Sequence, residues 1–116
     1  MEEKMKRILF YTMKEEKMCF VHVLLNALQL HEAGHEAKII FEGMSVKLPP
    51  VLAKEANPLY QKALESNIIV GVCRVCSNMM GVLEENEKLG LPLLDDMKGH
   101  AGMKNYLENG YEVIMS

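Results

Sequence analysis

Three short stretches of this chain, residues 8–11 (ILFY), 39–41 (IIF) and 68–72 (IIVGV), are apolar without a polar break. A strand with one wet face alternates apolar and polar residues, whereas a strand buried on both faces does not. Between these stretches lie segments with helical periodicity. In residues 18–33, Phe20, Val21, Leu24, Leu25, Ala27 and Leu28 fall towards one side, with His22, Asn26 and Gln29 opposite. Continuous apolar strands alternating with helices predict an α/β fold. The expected architecture is a three-layer α/β/α sandwich around a five-stranded, mainly parallel sheet.

The expected order is a strand over 6–13, a helix over 18–33 ended by Gly34, and a strand over 36–41 closing on Glu42-Gly43. Pro49-Pro50 opens a second helical stretch. Asn57-Pro58 interrupts it as an N-cap and first helical residue, and it resumes to Ser66. A third strand over 68–72 is followed at once by Cys73, a helix runs from about Cys76 to Leu89, and Gly90 and Pro92 stop it. A short strand over 91–94, a helix over about 103–109 and a strand over 111–115 complete the chain. Right-handed crossovers bring all strand C-termini to one edge, where ligands bind in such sheets. The segments gathered there are 12–17, 42–45, 73–77 and 95–100.

Cys73 and Cys76 straddle the turn from the third strand into its helix. Free amides and the positive end of a helix dipole favour a thiolate at such a turn. Lowering a thiol from about 8.5 towards 6.5 takes roughly 2.7 kcal/mol. The dipole and Arg74, with Lys14 or Lys17 nearby, are the expected sources. The bland alternative is two small residues filling a strand–helix junction. A structural zinc site needs about four ligands. With no second CxxC and only Cys19 and the 4 histidines remaining, no metal is expected. His31 and His35 have metal-pair spacing but read as a solvated helix end, and His22 as a surface residue. His100 lies in the expected active edge and is a candidate for proton transfer. Glu42 is a supporting candidate or simply a strand end. Asp95-Asp96 reads as a turn and cap. No phosphate loop or dinucleotide fingerprint is present.

The 116 residues make one domain, 1–116, and the net charge of −3 offers no basic face, so direct nucleic-acid binding is not expected. No apolar run approaches the length of a membrane span, and no leader is recognised. Three cysteines without a leader point to a reducing, cytoplasmic setting. The 10 methionines and slight apolar surplus suit packing between subunits.

The order of five strand–helix units, Phe41-Glu42-Gly43 closing the second strand, Cys73 after the third, and Gly81 eight residues later together resemble the DsrE/DsrF-like family, in particular its small YchN-like members. The resemblance covers nearly the whole length. It implies a homo-oligomer, trimeric or hexameric; no cofactor is expected. It also implies sulfur handling, with Cys73 accepting a persulfide from a donor protein for passage to an acceptor. Cys76, three residues on, is the candidate resolving thiol, able to attack the carried persulfide. The alternative from another class is a non-enzymatic binding or thiol-disulfide sensing module.

Overall fold

The computed structural model describes residues 4–116. Strands β1 (Arg7–Thr12), β2 (Glu36–Phe41), β3 (Ile69–Cys73), β4 (Leu93–Leu94) and β5 (Glu112–Met115) form one sheet in the order β4-β3-β2-β1-β5. Every pairing is parallel. The helices are α1 (Lys17–Glu32), α2 (Leu48–Lys54), α3 (Pro58–Glu65), α4 (Arg74–Met79), α5 (Leu83–Lys88) and α6 (Lys104–Glu108), with a 3₁₀ turn over Gly43–Lys47 before α2.

The strand order explains the layers. From β1 to β4 each strand is laid beside the last in one direction, so right-handed crossovers put α1 to α5 on one face. The chain then returns past β1 to place β5, which puts α6 on the other face. The main core lies between the sheet and the larger helical layer: Phe20, Leu24, Phe41, Val46, Leu52, Tyr60 and Val72 are buried there, and the rings of Phe20 and Phe41 lie 5.0 Å apart.

Local chemistry sets the element boundaries. The buried face of α1 is Phe20, Val23, Leu24, Ala27 and Leu28, a helical stripe centred on Leu24. Leu25 was expected on that face but is exposed, because one residue on from Leu24 turns it about 100° away. Asn57 caps α3 as expected, its side-chain oxygen accepting the N–H groups of Leu59 and Tyr60 at 3.0 and 3.1 Å.

The helix expected over 76–89 is instead two. It starts earlier, at Arg74, and breaks at Gly81, where φ is +75°. There Val82 N–H donates to Ser77 O at 2.9 Å and Gly81 N–H to Asn78 O at 3.1 Å. This is a Schellman ending, which a residue without Cβ adopts at little cost.

The connection from β4 to β5 must travel four strand spacings, about 19 Å. It begins by crossing the C-terminal edge of the sheet, where Gly99 O accepts Val75 N–H at 3.0 Å and Ala101 O accepts the Tyr11 hydroxyl at 2.7 Å. Only then does it turn onto the opposite face as α6. A segment remote in sequence is thereby stretched over the ends of the central strands.

Candidate functional site

Cys73 is the last residue of β3 and the N-cap of α4, its Sγ accepting the Cys76 N–H at 3.4 Å. Cys76 lies one turn further and faces back towards it. Cys73 has no exposed surface, Cys76 is 8% exposed, and both are free thiols.

Glu42 follows β2 directly and caps the 3₁₀ turn. Its own N–H donates to Ser45 Oγ at 3.1 Å, and Ser45 Oγ lies 2.8 Å from the carbonyls of Thr12 and Glu42. That network is buried and anchors the end of β2 to the end of β1.

His100 stands on a small hairpin. Met97 and His100 exchange two backbone hydrogen bonds of 2.9 Å, and the two residues between them, Lys98 and Gly99, have φ of +50° and +89°. Positive φ at both central positions marks a type I′ turn.

Three separate segments therefore converge. His100 Nδ1 lies 3.3 Å from Cys73 Sγ, 3.4 Å from Cys76 Sγ and 3.1 Å from Glu42 Oε1. The Cys76 thiol donates to Glu42 Oε1 at 2.8 Å, and Ala101 N–H donates to Glu42 Oε2 at 3.0 Å. The imidazole, 37% exposed, is the most exposed member of the four.

The electrostatics run opposite to the expected activation of a thiolate. Burial pushes the Cys73 thiol above its ordinary value, with the neighbouring Glu42 carboxylate adding to it, and this outweighs the Cys76 and Ala101 amides. Cys76 is raised further, by burial and then by the carboxylate that accepts its hydrogen. Glu42 itself is held below its ordinary value: burial opposes ionisation, but hydrogen bonds from Cys76, Cys73, the Ala101 amide and His100 prevail. The resting site is a pair of neutral thiols around a carboxylate.

Of the residues singled out in the sequence, Cys73, Cys76, Glu42 and His100 share the site. Arg74 is exposed on α4 and takes no part in this hydrogen-bonded group. Lys17 is engaged with Glu55 at 2.8 Å. His35 Nδ1 accepts the Lys6 N–H at 2.9 Å, and Asp96 caps the Gly102 N–H at 3.0 Å, both structural roles. Tyr11, Gly99 and Ala101, which hold the crossing segment down, carry no comparable mark in the sequence. Lys98-Gly99 flanked by Met97 and His100 was the available signal, since a turn with two positive φ angles favours glycine.

Among the described residues no helix is long and apolar enough to cross a membrane. No family model matches the chain, and no solved structure matches it. "Uncharacterized protein MJ0733" of Methanocaldococcus jannaschii is 39% identical over 97 residues, covering 81% of this chain and 77% of that protein. An "Uncharacterized protein" of Archaeoglobus fulgidus is 34% identical over 44 residues, 38% of this chain and 72% of its own length. An identity of this size over most of both chains places them on one fold with one core, and the chain belongs to the family of the archaeal protein MJ0733.

Proposed function

We propose that this chain is a DsrE/DsrF-like sulfur-handling protein in which Cys73 carries a persulfide and Cys76 resolves it. The observation behind this reading is the 3.3 Å contact between Cys73 Sγ and His100 Nδ1, with Glu42 Oε1 3.1 Å from the same nitrogen. In the tautomer whose Nδ1 carries no hydrogen, His100 takes the Cys73 proton on that nitrogen, and the carboxylate beside it stabilises the imidazolium that results. The thiolate attacks the outer sulfur of a donor persulfide, R–S–SH. A new S–S bond forms on Cys73, the donor's S–S bond breaks, and R–SH leaves with the proton from His100.

Cys76, whose sulfur lies within 4.8 Å of Cys73 Sγ, can then attack the inner sulfur. That step forms the Cys73–Cys76 disulfide and expels the outer sulfur as hydrogen sulfide, and a dithiol reductant resets the pair. Because Cys73 has no exposed surface, entry of a donor requires the hairpin bearing His100 to lift.

Intact-mass measurement of the reduced, chelator-treated chain after exposure to a small-molecule persulfide tests this. Gain of one sulfur atom, lost in Cys73→Ser and kept in Cys76→Ser, supports the carrier. Loss of two hydrogens in the wild type with no sulfur gained by Cys76→Ser supports the alternative, a disulfide switch, for which the proximity of the two sulfurs also speaks. Assembly of several copies is part of the same reading. Ile114 and Met115 on edge strand β5 are 45% and 59% exposed, and light scattering of the eluted protein would read a monomer if the idea is wrong.

A further inference from the structure

We propose that Glu42, Cys73, Cys76 and His100 form a closed tetrahedral site for a divalent metal ion of zinc's class. This goes beyond sulfur transfer and stands independently of it. Two thiolates, one imidazole nitrogen and one carboxylate oxygen are a complete ligand set for such an ion, and the sulfurs disfavour magnesium or calcium.

The spacing fits. Metal–ligand bonds of about 2.0–2.3 Å in a tetrahedron place neighbouring donors about 3.3–3.8 Å apart. Here Nδ1 of His100 is 3.3 and 3.4 Å from the two sulfurs and 3.1 Å from Glu42 Oε1. The Cys76 Sγ to Glu42 Oε1 contact is 2.8 Å, and all four donor atoms lie within 4.8 Å of one another. Side-chain shifts of an ångström or less would round this group into a coordination sphere.

The surroundings of the donors fit as well. Glu42 Oε2 is already taken by the Ala101 amide, which leaves Oε1 turned towards the sulfurs. The Ala101 carbonyl is in turn held by Tyr11, so the segment that delivers His100 is fastened to the sheet. Metal ligands elsewhere are oriented by such outer hydrogen bonds. The donors come from the end of β2, the β3–α4 junction and the β4–β5 crossing, so the ion would tie three segments together. With all four positions filled by protein, the site has the form of a structural or regulatory centre.

Binding forms two metal–sulfur bonds and sends two thiol protons to solvent, while the carboxylate and imidazole bind through lone pairs. The ion and a persulfide compete for the same sulfurs. A loaded chain therefore neither alkylates at Cys73 and Cys76 nor accepts sulfur until a chelator frees it.

The reduced chain, stripped of metal under nitrogen, is titrated with Co²⁺ and then Zn²⁺. Expected are one Co²⁺ per chain, intense tetrahedral ligand-field bands in the red, thiolate-to-cobalt absorption in the near ultraviolet, displacement by Zn²⁺, and two protons released per ion to an indicator dye. His100→Ala and Glu42→Gln, checked for native circular dichroism, each weaken binding at least tenfold, and Cys19→Ser does not. A weak octahedral cobalt spectrum, absence of thiolate charge transfer, or affinity unchanged in both ligand variants overturns the site. The wild-type spectrum decides this even if a variant misfolds. No persulfide is present here, and the sulfur-transfer assay contains chelator, so failure of one leaves the other standing.

Discussion

Removing a single hydroxyl, in Tyr11→Phe, tests whether the crossing segment is what closes the site. The Tyr11 hydroxyl donates to Ala101 O at 2.7 Å, and both residues are buried. Phenylalanine keeps the ring packing but leaves that carbonyl without its donor, a loss of about 1–3 kcal/mol. The same amount is removed from the cost of lifting the hairpin, because the bond is broken in the open form anyway.

Cys73, with no exposed surface, reacts with an alkylating agent only from an open form, at a rate set by the open population. At 1.4 kcal/mol per tenfold, native-state alkylation of Cys73 in the metal-free chain should rise about 5- to 140-fold. Asn57→Ala is the control. It removes the cap of α3 and about 1 kcal/mol of global stability, far from the crossing segment. If Cys73 is exposed by local lifting, Asn57→Ala leaves its alkylation rate unchanged while Tyr11→Phe accelerates it. Equal acceleration by both would mean that Cys73 is reached only through global unfolding, and the hairpin would lose its role as a gate.

Other expectations follow from neighbouring features. A Cβ on Gly99 would lie 2.4 Å from Val75 Cγ2, at a φ of +89°. Gly99→Ala should therefore cost about 1–3 kcal/mol from overpacking and about 1–2 kcal/mol from the backbone, read by urea denaturation. Adding Val75→Ala should recover the steric part only, and a cycle showing no coupling would contradict the contact. Tyr60 is 1% exposed, and burial pushes its phenol up to about 12. The folded chain holds that proton when the unfolded chain has lost it, so the contribution is intact below about pH 10. It falls by about 1.4 kcal/mol per pH unit and is gone above about pH 12. Tyr60→Phe should flatten the alkaline decline in stability by up to about 2.7 kcal/mol, and an unchanged decline would rule Tyr60 out as its source.

The residues of the site were legible in the sequence, but their meeting was not. Continuous apolar strands announced a doubly covered parallel sheet, and with it one edge where Glu42, Cys73, Cys76 and His100 all had to end up. Which of them touch depends on strand order, and no local pattern encodes that β5 is laid beside β1. That one long-range choice stretches residues 95–101 across the edge and brings His100 58 positions in sequence to Glu42. The α4–α5 break was missed for a different reason: residues 82–89 keep helical composition, and only the positive φ at Gly81 separates them.

The charge balance is not legible at Cys73 because a helix end reports what lies along the chain and not what folds onto it. A carboxylate delivered by a neighbouring strand, itself ionised by the hydrogen bonds it receives, works against the dipole of a helix of only 6 residues. The consequence reaches the chemistry. A thiol activated by a dipole is reactive in the resting state, whereas two neutral thiols around a carboxylate are quiet; in the two proposals above they are roused when an imidazole takes a proton or a cation replaces two. Both events involve His100, so replacing it should silence the site towards persulfides and metals alike while leaving the sheet intact.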